Sequence, residues 1–457
     1  MALADKRGVP VSTNSRAALD RYEQAVELLN GYFLDPMAAI DAALAEDPHF
    51  VMGHCFKAAV AVSMAEKAAE PMLREAVAAA EAIGRKANAR ERGHIAAAHA
   101  WLDGDFAAAA DRYGRVLEDH PRDILALQAA HLADFYLGRS TMLRDRVARV
   151  LPEWDGDVPG RGFVLGMHAF GLEETQLYDR AEEAGRRALD ANPRDPWAVH
   201  AVAHVMEMQG RVAEGIAWLA GRETDWSPDN MFAYHNWWHR ALYHLDRDQH
   251  DQALEIYDRQ IRPRPSTAAI EMVDASALLW RLHLRGAGVG DRWKELADSW
   301  EPMAEDGYYA FNDGHAMMAF AADGRRAAAD RLLATLARRA DGAGTNAMMT
   351  REVGLPLCRA LDAFGRGDHA AAADLLLPLP PIAGRFGGSH AQRDVIHLTL
   401  TEAALRAGRL GLARSLAAER CDLKPSSAFN WRVMSRAMKA AGDNLGAAAA
   451  ARRAADV

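Results

Sequence analysis

Seven histidines stand at helical spacing ahead of short turns, and they set the first question of chemistry. His131 precedes Gly138, His168 precedes Gln176, and His200 with His204 precede Gly210. His235 with His239 precede Asp248, and His315 precedes Gly324. Carboxylates occupy similar places: Asp134, Glu174, Glu207, Asp274 and Asp313. Imidazole titrates near neutrality, and a neighbouring carboxylate fixes its tautomer and raises its basicity, which is what general acid–base catalysis requires. At about 100° per residue His200, His204 and Glu207 share one helix face, as do His235 and His239, with Trp238 close by. On this reading His204 or His239 is a base oriented by Glu207 or Asp313, with His315 as a further catalytic group. His168, His200, His235, Trp238 and Asp274 line the ligand, and the Trp237–Trp238 pair supplies an apolar wall. The competing reading is that these histidines are satisfied polar groups between packed helices.

Two histidines at i and i+4 can also ligate one metal ion. The chain offers two such pairs, His200 with His204 and His235 with His239, so these four are the candidate ligands for a divalent metal such as zinc. Neither pair is HExxH, because Ala201 and Asn236 stand where the base would be. No other cofactor is expected. Gly-x-Ser-x-Gly and the phosphate-binding GxxxxGK[ST] are absent, and "GAGVG" at 286–290 lies between two helical segments and reads as a turn. Cys358, in "LPLCRAL", reads as a buried, inert thiol. "QRD" at 392–394, after a glycine-rich stretch, either points Arg393 and Asp394 into the lumen, where a guanidinium would suit a carboxylate or phosphate of the ligand, or makes an interhelical ion pair that closes the solenoid.

The elements that must position these groups are helices. Half of the 457 residues are hydrophobic and 26% are charged, an ordinary globular balance, and alanine-rich stretches such as "RRAAADRLLATLARRA" at 325–340 favour helix. A turn glycine, apolar residues at helical spacing and a closing proline recur: Gly104, Phe106, Ala109, Tyr113, Leu117 and Pro121. Gln176 to Pro193 and Asp248 to Pro265 repeat the offsets, with a weaker copy from Gly210 to Pro228. Pro193 and Pro228 are 35 residues apart, and Pro228 and Pro265 are 37 apart. A period near 34 with paired helices is the tetratricopeptide signature, in which hairpins stack because one alone cannot bury its apolar face. The expected fold is therefore all-α, a right-handed α–α superhelix forming one continuous solenoid. Residues 1–95 form an N-terminal helical region, 96–285 the repeats, and 286–457 degenerate hairpins around Gly324, Gly367, Gly408 and Gly442. First helices of such hairpins line the inner surface. Residues 286–290 and 378–392 are expected loops, the second long enough to serve as a lid or plug.

Several motifs are similar to those of the tetratricopeptide repeat protein 38 family: "VPVST" at 9–13, "DPHFVMGH" at 47–54, "AVHAVAHVMEM" at 198–208 and "HNWWHRALY" at 235–243. "FNDGH" at 311–315, "REVGLPLC" at 351–358 and "GGSHAQRDV" at 387–395 continue the resemblance over essentially the whole chain. It implies a soluble, cytoplasmic helical-repeat protein and hands over no mechanism. Where that family carries asparagine this chain has His390, so no role is placed on that imidazole.

Lys and Arg total 54 against 63 Asp and Glu, a formal charge of −9 with no basic block, so neither nucleic acid nor an anionic membrane is an expected partner. Mean hydropathy is −0.22 and no stretch approaches eighteen apolar residues, which excludes a membrane-spanning helix. The polar stretch from Met1 to Asn14 reads as no signal peptide. Cys55, Cys358 and Cys421 lack paired spacing and suit a reducing compartment. Two functions remain open: a small-molecule pocket, which as an enzyme would be a cofactor-free or metal-assisted hydrolase, lyase or isomerase, and a scaffold that grips a peptide or partner protein. Grooves of the second kind are commonly rich in Lys, Arg and Asn, whereas the inner face read here is rich in His and Trp.

Overall fold

The computed structural model describes residues 3–457, so Met1 and Ala2 of the polar N-terminal stretch lie outside it. Among the described residues there are 26 α-helices. They run α1 Arg16–Asn30, α2 Pro36–Glu46, α3 Val51–Met64, α4 Glu70–Ile83, α5 Ala89–Leu102, α6 Phe106–Asp119, α7 Ile124–Tyr136, α8 Ser140–Val150 and α9 Arg161–Glu174. Then come α10 Tyr178–Ala191, α11 Pro196–Met208, α12 Val212–Gly221, the short α13 Glu223–Trp226, α14 Ala233–Asp246, α15 His250–Ile256, α16 Ala269–Leu284 and α17 Arg292–Trp300. The rest are α18 Ala310–Asp323, α19 Arg326–Ala340, the short α20 Thr345–Met349, α21 Leu355–Gly365, α22 His369–Leu376, α23 His390–Arg406, α24 Leu410–Leu423, α25 Ala428–Ala440 and α26 Asn444–Asp456.

Apart from α13 and α20, the helices pair as hairpins, the tetratricopeptide-like architecture. The turn between partners needs one left-handed residue. Gly324 takes φ +70° there at no steric cost, while Gln176 (φ 63°) and Asp248 (φ 62°) occupy the same position as non-glycine residues. The two helices of a hairpin differ in burial. In α16, 13 of 16 residues are buried, whereas α10 buries only Ala181, Ala184, Gly185, Ala188 and Leu189 of its 14. A first helix is covered on several sides and can be apolar almost all round; a second helix buries one stripe at 3–4-residue spacing. Ala109 and Ala181, both fully buried, permit the close approach expected of them. The hairpins between 310 and 456 are as regular in structure as the earlier ones, although their sequence repeats are degraded.

The chain forms two compact units. The first comprises residues up to Val202, with Glu223–Ala233 and Ala343–Asn346; the second comprises Ala203–Arg222, Tyr234–Gly342 and Ala347–Val457. The division falls inside α11 and not at 95 or 285. Within the second unit, residues far apart in sequence meet: Ser427 Oγ donates to Asp246 Oδ1, Arg432 donates to the Asp246 carbonyl, and Trp280 Nε1 donates to Thr399 Oγ1 at 2.9 Å. The C-terminal hairpins thus close back on α14 and α16.

The segment expected as a loop at 378–392 is not a lid. Residues Pro380–Phe386 form a 3₁₀ helix, and α23 already begins at His390, with Ser389 and Gln392 making a reciprocal capping box. Leu379, Ala383 and Phe386 are buried, and Phe386 packs 5.1 Å from Phe311. Apolar side chains spaced along the stretch tie it down.

Candidate functional site

In the second unit α11, α14 and α16 bring together His204, Glu207, His235, His239 and Asp274. One helical turn separates His235 from His239, and both are buried, as is His204. The ligand-capable atoms of His204, His235 and His239 lie within 4.8 Å of one another. The rings of His204 and His239 are 4.3 Å apart between centroids, and those of His235 and His239 are 4.9 Å apart. His235 and His239 each have a carboxylate on Nδ1: Asp274 Oδ2 at 2.6 Å from His235, and Glu207 Oε2 at 3.0 Å from His239. Nδ1–H donates in both pairs when the imidazole is neutral, which puts the ring lone pair on Nε2. Burial holds His239 well below the usual imidazole range, and the rings of His204 and His235 push it further the same way. Trp238 stacks on His235 at 5.4 Å and faces the Arg281 guanidinium at 5.3 Å, so it packs the interior and forms no wall for a ligand.

Beside this cluster lies a cavity of about 60 Å³ lined by Glu207, Arg281, Arg285, Asp394, Arg420 and Lys424, with Asp246, Ser427, Phe429 and Asn430 completing its polar and aromatic surface. Room of that size accommodates about five water-sized groups, enough for one carboxylate-like headgroup but not for a whole metabolite. Two of its cations are answered by acids. Arg420 binds Asp394 with two bonds, at 2.7 and 3.2 Å, and Lys424 approaches Glu207 at 3.6 Å. Burial opposes ionisation of Asp394, but Arg420 outweighs it and holds the carboxyl well below its usual range. Asp246 is pushed up by burial.

Arg281 and Arg285 are different. They lie one turn apart, Arg281 in α16 and Arg285 capping its C-terminus, and donate to backbone carbonyls: Arg281 to Ala277 at 3.0 Å and Ala391 at 2.7 Å, Arg285 to Arg281 at 2.9 Å. Neither forms an ion pair within 4.0 Å among the described residues. Arg285 stacks on Phe429 at 3.9 Å, and its Nε is sealed from solvent without a hydrogen-bond partner. Burial, aided by Arg281, lowers its pKa to about 9. Two adjacent guanidiniums without a direct ion pair, in a cavity that also holds Glu207, Asp246 and Asp394, offer donors to one further anionic group.

The remaining expected site residues have other surroundings. His168 and His200 belong to the first unit: His168 is half-buried, and burial with Arg180 and Arg144 lowers it to about 4. His200 packs among Phe170, Trp197 and Phe232 at 5.1–5.2 Å. Asp313 does not orient an imidazole. Burial raises it to about 8, its Oδ2 is sealed without a partner, and its backbone carbonyl faces the Cys358 thiol at 3.6 Å. His315 donates Nδ1–H to the Phe311 carbonyl of its own helix at 2.8 Å and lies against the Phe311 ring, and its Nε2 is buried without a hydrogen-bond partner. Arg393 turns back to the Gly388 carbonyl, and it is Asp394, 100° further round α23, that reaches the cavity. Asp134 pairs with Arg146 at 2.7 Å. The cavity arginines were not singled out by motif reasoning. The available signal was "RLHLR" at 281–285, two arginines at i and i+4 in an otherwise apolar helix. His390, given no role, stands 6.0 Å from His204 between ring centroids.

No family model matches the chain. Over 110 residues it is 33% identical to cellulose synthase operon protein C of Komagataeibacter sucrofermentans, and over 111 residues 32% identical to that of Komagataeibacter xylinus. Each match takes in 24% of this chain and spans 8% of the curated relative's length. Among solved structures, human IFIT1 as a dimer with PPP-AAAA aligns at 12% identity and a TM-score of 0.44, over 96% of this chain and 94% of that one. Yeast Tom70 aligns at 13% identity and a TM-score of 0.33, over 94% and 96% of the two chains. The assignment to tetratricopeptide-like helical repeats rests on the hairpins themselves.

Proposed function

We propose that this chain is a tetratricopeptide-like binding module whose second unit holds a carboxylate of a partner peptide in the Arg281–Arg285 cavity. The carrying observation is the pair of adjacent guanidiniums without an ion-pair partner, one of them stacked on Phe429. Four basic residues, Arg281, Arg285, Arg420 and Lys424, and Asn430 line the cavity beside three acids, Glu207, Asp246 and Asp394, and Lys, Arg and Asn are the residues in which peptide-binding grooves of this architecture are commonly rich. Size favours it too: the cavity suits one anionic group and leaves the rest of a ligand outside. The acid–base reading of His204 and His239 has less support, since both residues have no solvent-exposed surface. Membership of the tetratricopeptide repeat protein 38 family belongs to this proposal, as does work in the cytoplasm. Three buried thiols suit a reducing compartment, and no helix among the described residues is long and apolar enough to cross a membrane.

A random octapeptide library with C-terminal carboxylates, screened beside the same library amidated and depleted of Asp and Glu, tests the proposal. Selection of carboxylate-bearing peptides by the wild type, lost with Arg285→Gln, is the expected result. Equal capture from both libraries would refute it.

A further inference from the structure

We propose that His204, His235 and His239 form a binding site for a divalent transition-metal ion, with zinc as the fitting species, and that Asp274 and Glu207 are its supporting carboxylates. Three observations converge. The ligand-capable atoms of the three imidazoles lie within 4.8 Å of one another, in an interior where polar groups are costly to gather. Two of the three share one face of α14 at i and i+4, a spacing that lets a helix offer two nitrogens to one ion, and α11 supplies the third.

The third observation is the placement of the carboxylates. Asp274 and Glu207 sit on Nδ1 of His235 and His239 at 2.6 and 3.0 Å, which fixes the tautomer and leaves Nε2 as the ligating atom. A carboxylate on the far nitrogen of a ligating histidine is the usual outer shell of a zinc site and raises the basicity of the ligand. The two carboxylates also balance the two positive charges of the ion. Of the core histidines elsewhere, His315 bonds to its own helix carbonyl and His131 packs edge-on against Phe170 and Trp197; His94 also meets a carboxylate, Asp123 at 2.7 Å, but belongs to no cluster of ligand-capable side chains among the described residues. Imidazole nitrogens suit zinc, copper, iron and nickel, whereas magnesium and calcium prefer oxygen donors. The cavity begins at Glu207, the carboxylate that supports His239.

The test uses the full chain without a polyhistidine tag. Metal content is measured by plasma mass spectrometry after equilibration in zinc buffered at about 1 µM, and the zinc-edge X-ray absorption spectrum is recorded. One ion per chain is expected, with a nitrogen shell at about 2.0–2.1 Å. His239→Gln should lose the ion. Asp274→Asn, which leaves all three ligands in place, should weaken affinity about 10–100-fold in a chelator competition. Asp313→Asn, a buried carboxylate remote from these bonds, should bind as the wild type does. Less than about a tenth of an equivalent bound, a shell without imidazole nitrogens, or unchanged affinity in Asp274→Asn would overturn the proposal. If either site variant fails to fold by circular dichroism, the wild-type stoichiometry and absorption spectrum decide it alone.

Discussion

Replacing Asp195 by asparagine should stabilise the first unit above neutral pH and leave it nearly unchanged below pH 4. Asp195 caps α11: its Oδ1 accepts from the backbone N–H groups of Trp197 and Ala198 at 3.0 and 3.2 Å. The residue is fully buried and its Oδ2 is sealed without a hydrogen-bond partner. Burial pushes the carboxyl up to about 7, the capping bonds opposing it. His131, which lines the same small cavity, is lowered to about 3 and supplies no charge to answer it. With an unfolded value near 3.9, the native state binds the extra proton between about pH 4 and 7, so stability falls as pH rises through that window. About three units at ~1.4 kcal/mol each give a loss of about 4 kcal/mol, complete by pH 8. Asparagine caps as well as aspartate and carries no charge, so the variant should lack this slope. For a unit of this size the gap in melting temperature should open by roughly 5–15 °C between pH 4 and pH 8. Thermal melts of both proteins at half-unit steps from pH 4 to 9 measure it. A difference that stays constant with pH would refute the reasoning.

Three further outcomes follow from the same kind of argument. Burial, with help from Arg146, keeps His131 neutral to about pH 3, so acid should cost stability as pH falls below the unfolded value near 6.5, by about 1.4 kcal/mol per unit; His131→Phe should flatten that limb in pH-dependent denaturant titrations, and an unaltered limb would count against it. Gly215→Ala places a methyl 2.2 Å from Tyr243 Cζ; overpacking of about 1–3 kcal/mol should outweigh a helix-propensity gain of about 1 kcal/mol, and urea melts showing a more stable variant would contradict this. Burial raises all three thiols, Cys421 to about 11 and Cys55 and Cys358 higher still; Ellman's reagent should find no fast-reacting thiol in the native protein and three after unfolding, and a rapid native equivalent would show that one of them is accessible.

Local signals made the hairpins legible. Gly104, Gly138, Gly210 and Gly324 all stand where the chain needs a left-handed residue, and the apolar spacing on either side has the helical period. Even the turns at Gln176 and Asp248 could be found, by offset from their neighbours and not by residue type. The histidines of first helices are expected on an inner surface; six of the seven are buried, because first helices are covered on several sides, and His168 is half-buried. Partnership was less legible. Glu207 with His239 spans 32 residues and Asp274 with His235 spans 39, each across neighbouring hairpins, so the pairings depend on helix rotation as well as repeat register. The cavity lay beyond sequence reasoning, since it joins Arg281 and Arg285 to Arg420 and Lys424 through the closure of the second unit on itself. Asp313 and His315 share the repeat register of the clustered histidines, but neither bonds to them: His315 Nδ1 bonds to the Phe311 carbonyl of its own helix, and Asp313 Oδ2 is sealed without a hydrogen-bond partner.

The central claim is that Arg285 holds a carboxylate, and a double-mutant cycle tests it most directly. A peptide from the library selection is measured by calorimetry with its carboxylate intact or converted to the carboxamide, against wild type and Arg285→Gln. A hydrogen bond between charged groups contributes about 1.5–3 kcal/mol, so removing both partners should cost less than the sum of the single losses by at least about 1.5 kcal/mol, a factor of about ten in Kd. Additive losses, or a carboxamide peptide that binds wild type as tightly as the acid, would contradict the account.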